Sequence, residues 1–189
     1  MSLKHVLLVV LKKRKSTGYE IAKWFDGPLG HFWNTSHQRV YRALATLHKE
    51  GWVEFEVIHQ ANKPDKKVYD ITPAGNGALT KWLATPLKAQ PVSEPFLVKL
   101  FAGADANPSE LYEELQLQYE RSVALLKDYS GIEKQYFPEG FTGEAESDMM
   151  YLTLRRGFYH EEAIQRWAEE ALQVLKSIAD NAKLDNPND

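Results

Sequence analysis

Apolar residues recur every three or four positions at the start of the chain, where Leu3, Val6, Leu7, Val10 and Leu11 predict a helix with a broad apolar face. Thr17-Gly18-Tyr19-Glu20 then has the form of a capping box, in which the threonine hydroxyl takes an amide proton and the glutamate reaches back. A short second helix to about Phe25 follows, and Asp26-Gly27-Pro28-Leu29-Gly30 breaks it. The third helix is expected from near Thr35, whose hydroxyl can cap it, to Glu50 and the stop at Gly51. Its faces separate cleanly. Val40, Ala43, Leu44 and Leu47 lie on one side, and Thr35, Gln38, Arg42, Ala45 and Lys49 on the other.

The period then changes from three or four to two. Val53, Phe55 and Val57 alternate with Glu54 and Glu56, and Val68, Tyr69 and Ile71 form a second β-rich run, so two strands joined through Gln60 to Asp65 predict a hairpin. Thr72-Pro73 supplies an N-cap with proline at the first helical position, opening a fourth helix through Leu79, Trp82 and Leu83. Three helices, a two-stranded wing and a helix make a winged helix-turn-helix, with the third helix in the recognition position.

Three prolines between Thr85 and Pro95 mark a boundary, because each removes a backbone donor and disfavours helix just before it. Beyond it, Asn107-Pro108-Ser109-Glu110 starts a long helix, along which Leu111, Leu115, Gln118, Ser122, Leu125, Tyr129, Ile132 and Tyr136 form a heptad-like seam. After Pro138, Gly140 and Gly143, a second long helix from about Glu144 to Lys183 sets Leu154, Ile164, Trp167, Ala171, Val174 and Ile178 broadly along one side. The pair can form an antiparallel hairpin whose stripes complete their burial against a second subunit. A self-contained helical cap on a monomer is the alternative. The expected fold is therefore mainly α with a small β-wing: a winged helix-turn-helix domain over residues 1–85, a Pro-rich linker over 86–95 and an α-helical dimerisation domain over 96–189.

Charge sharpens this division. Residues 1–85 carry 13 Lys and Arg against 7 Asp and Glu, a net +6, whereas residues 86–189 carry 10 against 19, a net −9. A basic N-terminal half suits a polyanion, and an acidic half that would repel one suits contact between proteins. Cysteine is absent, which removes disulfides, thiolate nucleophiles and Cys-based metal sites and fits a reducing, cytoplasmic setting. The dense apolar run Val6 to Leu11 is far shorter than the ~20 residues of a membrane span, and its basic residues follow it where a signal peptide would carry them first. No membrane association is expected. The histidines form no ligand pair and the glycines no phosphate loop, so neither a metal, nor a cofactor, nor catalysis is expected.

On the outer face of the third helix, Gln38, Arg39 and Arg42 are candidates for reading base edges, since Gln can grip adenine and Arg guanine bidentately in the major groove. Thr35 and Tyr19 are placed near phosphates, and Lys63, Lys66 and Lys67 of the wing alongside the groove. The seam residues Leu111, Leu115, Leu125, Tyr129, Ile164, Trp167, Val174 and Ile178 are the dimerisation candidates. Trp24, Phe25, Phe32 and Trp33 cluster around the Gly-Pro loop, as plain core or as a pocket for a small aromatic effector.

Four blocks, Gly18-Tyr19-Glu20-Ile21, Val40-Tyr41-Arg42-Ala43-Leu44 with Leu47, Glu50-Gly51-Trp52-Val53, and Val68-Tyr69-Asp70-Ile71-Thr72-Pro73-Ala74-Gly75, resemble in order and spacing the signatures of PadR-like transcriptional regulators. The resemblance spans roughly residues 3 to 84. It implies a homodimeric bacterial regulator of double-stranded DNA, usually a repressor and in some branches a virulence activator, with a helical C-terminal region for dimerisation; the long C-terminal half is similar to that second branch. Some such regulators respond to phenolic or other planar compounds. The alternative reading is a winged-helix adaptor between proteins that no longer binds DNA, and salt-dependent duplex binding separates the two.

Overall fold

The computed structural model describes residues 3–27, 30, 33–59, 65–88 and 93–185, and the chain divides into two compact units, Met1–Gln90 and Pro91–Asp189. The first unit runs α1 (Leu3–Lys13), β1 (Ser16–Thr17), α2 (Gly18–Phe25), α3 (His37–Lys49), β2 (Val53–Ile58), β3 (Lys66–Ile71) and α4 (Pro73–Leu83). Leu7, Leu8 and Leu11 of α1, Ile21 of α2, Val40, Leu44 and Leu47 of α3 and Val53 of β2 are fully buried in one core. At roughly 1.5 to 3 kcal/mol for each such side chain taken from water, these residues dominate the stability of the unit.

The helix starts follow from local chemistry. The Glu20 amide donates to the Thr17 hydroxyl oxygen at 3.2 Å while the Thr17 amide donates to the Glu20 carboxylate at 2.7 Å, completing the reciprocal cap of α2. Those two groups of Thr17, backbone first and side chain second, hold the Glu20 carboxyl below the usual carboxylate range. A carboxyl depressed in the folded state contributes stability that is present above its unfolded value and is lost as pH falls through the folded one. Acid titration of thermal stability is therefore expected to show a decline below the ordinary glutamate range that is smaller in Glu20→Gln; equal decline in both proteins would remove this role.

The sheet differs from the expected hairpin. It has three antiparallel strands in the order β1-β3-β2, because Ser16 and Thr17 pair with Tyr69 and Val68. The wing register runs from Val53 opposite Ile71 to Ile58 opposite Lys66. Consequently Phe55, Val57, Tyr69 and Lys67 share one face, and Glu54, Glu56, Asp70 and Lys66 the other. A second difference lies at α3, which is capped by Ser36, whose hydroxyl accepts from the Arg39 amide at 3.4 Å. Ser36 holds the extended backbone an N-cap requires, with φ −98° and ψ 153°, and Thr35 lies one residue too early for that bond.

The second unit runs α5 (Pro95–Phe101), a single 3-10 turn at Gly103–Asp105, α6 (Pro108–Tyr136) and α7 (Ala145–Asp185). Asn107 caps α6 as expected, its side-chain oxygen accepting from the Ser109 amide at 3.0 Å. α5 begins at Pro95, inside the segment read as linker, because proline fits the first helical position and the apolar residues after it bury Phe96 beneath α6 and α7. The two long helices form the antiparallel hairpin. Leu111 and Leu115 pack with Phe96, Ala168 and Leu175; the Ser122 hydroxyl donates to the Glu161 carbonyl at 3.1 Å; and Tyr129 meets Phe158 edge to face at 5.7 Å.

This pairing revises the roles expected of the seam. Leu111, Leu115 and Tyr129 are buried inside one protomer, and the inward stripe of α7 consists of Tyr151, Phe158, Glu161, Ala168, Leu175 and Ala179. Of the stripe Ile164, Trp167, Ala171, Val174 and Ile178, Ala171 packs against the core around Phe96 and Leu115 and Trp167 meets Phe96 edge to face at 6.1 Å, while Val174 and Ile178 turn toward solvent. Trp167 retains 36% of its exposure, Val174 54% and Ile178 46%, while Ile164 and Leu125 are half-buried.

Candidate nucleic-acid interface

α3 presents opposite chemistries on its two sides. Val40, Leu44 and Leu47 have no exposure, and Gln38, Arg39, Arg42, Ala45 and Lys49 are all exposed. An amide, a guanidinium, a methyl and an ammonium thus line up along one open helical face, with a second guanidinium, Arg39, at its edge. The N-terminal end of that face is braced: Nε2 of His37, in the first turn of α3, lies 2.9 and 3.0 Å from the two carboxylate oxygens of Asp26 at the end of α2. The two helices are thereby tied together at the start of that face.

Tyr19, at the second position of α2, is 56% exposed, with the Lys23 ammonium 5.1 Å from its ring centroid. Tyr41, which the helical pattern alone left unassigned, is also open and packs against Gly18, where a Cβ would come within 2.5 Å of its Cε1. It stands one turn from Gln38 and Ala45, which at 100° per residue puts it at the flank of the same face. By contrast, the Thr35 hydroxyl is buried, with no hydrogen-bond partner among the described residues, and is not presented to a phosphate. Lys66 and Lys67 are exposed on opposite faces of the wing. Lys63 lies outside the described residues, as does Phe32.

The remaining aromatic candidates are part of the core. Phe25 is buried within it, and Trp24 and Trp33 pack against it from the edge. On the acidic face of the wing, Asp70 binds the Lys15 ammonium at 2.9 Å and, by that hydrogen bond and its charge, holds it above the usual lysine range. Among the described residues no cluster of three or more His, Asp and Glu can hold a metal ion, and no helix is long and apolar enough to cross a membrane.

The geometry is that of a winged-helix regulator: a braced helix with an open polar face, flanked by a hairpin carrying cations. Comparison with known proteins gives the family. The profile of the transcriptional regulator PadR-like family matches residues 7–81, and that of the virulence activator alpha C-terminal region matches residues 93–176. The Mycobacterium tuberculosis protein named Probable transcriptional regulator Rv1176c is 32% identical, the match covering 93% of this chain and 98% of the relative. Among solved structures, Bacillus subtilis PadR in complex with operator DNA superposes with a TM-score of 0.79 at 26% identity, over 92% of this chain and 98% of that one. The Vibrio cholerae virulence activator AphA does so with a TM-score of 0.76 at 34% identity, over 94% and 100%. The chain belongs to the PadR-like family and is a DNA-binding transcriptional regulator, not an enzyme; nothing supports the adaptor reading.

Proposed function

We propose that the protein acts in the cytoplasm as a homodimeric repressor that reads a roughly palindromic operator with α3, Gln38 and Arg42 meeting base edges, Arg39 at the flank, and Tyr19 near the backbone. The observation that carries this reading is the complete separation of α3 into a fully buried side and an open side bearing Gln38, Arg42 and Lys49. Dimerisation is supported by Val174 and Ile178 of α7, which the protomer leaves uncovered, and two-fold symmetry in the protein demands it in the site. Repression is supported by the 27% identity to B. subtilis PadR, which is named a negative regulator. That protein has also been solved with p-coumaric acid, so a planar aromatic acid is the effector class for which this reading provides. Such a ligand would act by favouring one spacing of the two reading heads over another.

The test is to select genomic fragments with the purified protein and then compare variants on the recovered operator. Gln38→Ala and Arg42→Ala are each expected to lose about 1 to 3 kcal/mol of discrimination at one contacted base pair while keeping non-specific affinity. Undiminished preference in both variants, measured by competition against single-base operator mutants, would show that another face does the reading.

A further inference from the structure

The two faces of the wing are chemically unlike, although both end in a lysine. On the first, Phe55 is diagonal to Lys67 across the β2-β3 ladder, and the Lys67 ammonium lies 4.2 Å from the centroid of the Phe55 ring. That ring is itself fixed. It tilts against Tyr69 at 5.5 Å and against His48 at 4.6 Å, and His48, in the last turn of α3, has its Nδ1 3.2 Å from the Val53 carbonyl. A continuous line of contacts therefore runs from the end of the reading helix through His48 and Phe55 to one ammonium.

The second face carries Glu54, Glu56 and Asp70, with Lys15 bound to Asp70. Lys66 stands on this side, diagonal to Glu56, and its charge also reaches the Glu20 carboxylate. Three carboxylates against two ammoniums leave the face net negative, so a phosphate backbone approaching Lys66 meets net repulsion.

We propose that the wing meets the phosphate backbone with its Lys67 face alone, and that Phe55 is a positioning residue that holds the Lys67 ammonium at a fixed distance from α3. The aromatic face attracts the ammonium without neutralising it, which orders a flexible side chain while leaving its charge for a phosphate. This inference rests on the DNA-binding reading above and narrows it, because it removes Lys66 from the contact.

The salt dependence of operator binding, followed by fluorescence anisotropy in the full-length protein, tests it. Each phosphate contact adds about 0.9 to the slope of log K against log salt concentration. Lys67→Ala, which removes one such contact from each of the two wings of the dimer, is expected to lower the slope by about 1.8 on operator and unrelated duplex alike, and Lys66→Ala to leave it unchanged. Phe55→Leu should weaken binding in the wild-type background but cost nothing further in Lys67→Ala, and Phe55→Tyr should restore wild-type behaviour. A merely structural role for Phe55 predicts losses that add to those of Lys67→Ala, which would overturn the positioning role. A slope lost with Lys66→Ala and kept with Lys67→Ala would overturn the choice of face, even if Phe55→Leu proves unstable. Failure of the wild type to bind any duplex would instead sink the DNA-binding reading itself, which Arg42→Ala, weak in preference but unchanged in slope, keeps separate.

Discussion

Replacing Val174 and Ile178 together by glutamate is expected to split the proposed homodimer, leave the α6–α7 hairpin folded and lower operator affinity by roughly 100-fold or more. Both residues are about half exposed in the protomer and sit one turn apart on the outward stripe of α7, away from the inward stripe that holds Ala168 and Leu175 against α6. Charges placed there stay in water in a monomer. In a two-fold interface each would be desolvated and brought near its own copy, at a cost of several kcal/mol that apolar contact cannot offset. A single head retains only one half-site of contacts, and the lost tenfold factors at 1.4 kcal/mol each are those of the second head. Light scattering, circular dichroism and operator titration on the same variant decide the matter. A dimer that survives with unchanged helicity would move the interface to other exposed apolar residues, such as Leu97, Val98 and Phe101 of α5.

The same helix shows what the sequence could and could not disclose. The hydrophobic pattern of α7 singles out Ile164, Trp167, Val174 and Ile178, yet the stripe the protomer buries mixes the bulky Tyr151, Phe158 and Leu175 with Ala168, Ala179 and Glu161. A stripe broken by two alanines and a glutamate carries a weak hydrophobic pattern, so hydrophobic weight and inward direction part company here. Seam positions on α6 were legible, their role was not: Leu111, Leu115 and Tyr129 are used within the chain. Helix starts were the most legible features, since Thr17, Thr72 and Asn107 each act on amides two or three residues away. At α3 the expected cap, Thr35, gives way to its neighbour Ser36, which holds the extended backbone angles of an N-cap. β1 is two residues long, too short for any alternation, and exists through its distant partners on β3. Register decided the wing. Without it Lys66 and Lys67 were equivalent, and with it they stand on faces of opposite character.

Two glycines of α4, two residues apart, are expected to respond to the same substitution with opposite sign. A Cβ at Gly75 would lie 2.1 Å from the Trp52 carbonyl oxygen, a backbone atom that cannot rotate away. That oxygen is already engaged, accepting from the Thr72 amide at 3.1 Å, while the Thr72 hydroxyl donates to the Gly51 carbonyl at 2.7 Å and accepts from the Gly75 amide at 3.1 Å. The start of α4 is thus bonded directly to the turn between α3 and the wing, and Gly75→Ala must push the two apart. An overpacked site of this kind costs on the order of 3 kcal/mol. At Gly77 a Cβ meets nothing within 4 Å, and the residue lies exposed in the interior of the same helix, so Gly77→Ala is expected to stabilise by up to ~1 kcal/mol through helix propensity. Urea unfolding followed by tryptophan emission measures both, Trp52 and Trp82 lying beside the junction and in α4. If Gly75→Ala proves as harmless as Gly77→Ala, the junction between α4 and the wing is looser than its hydrogen bonds imply, and the wing is then free to move relative to the reading helix.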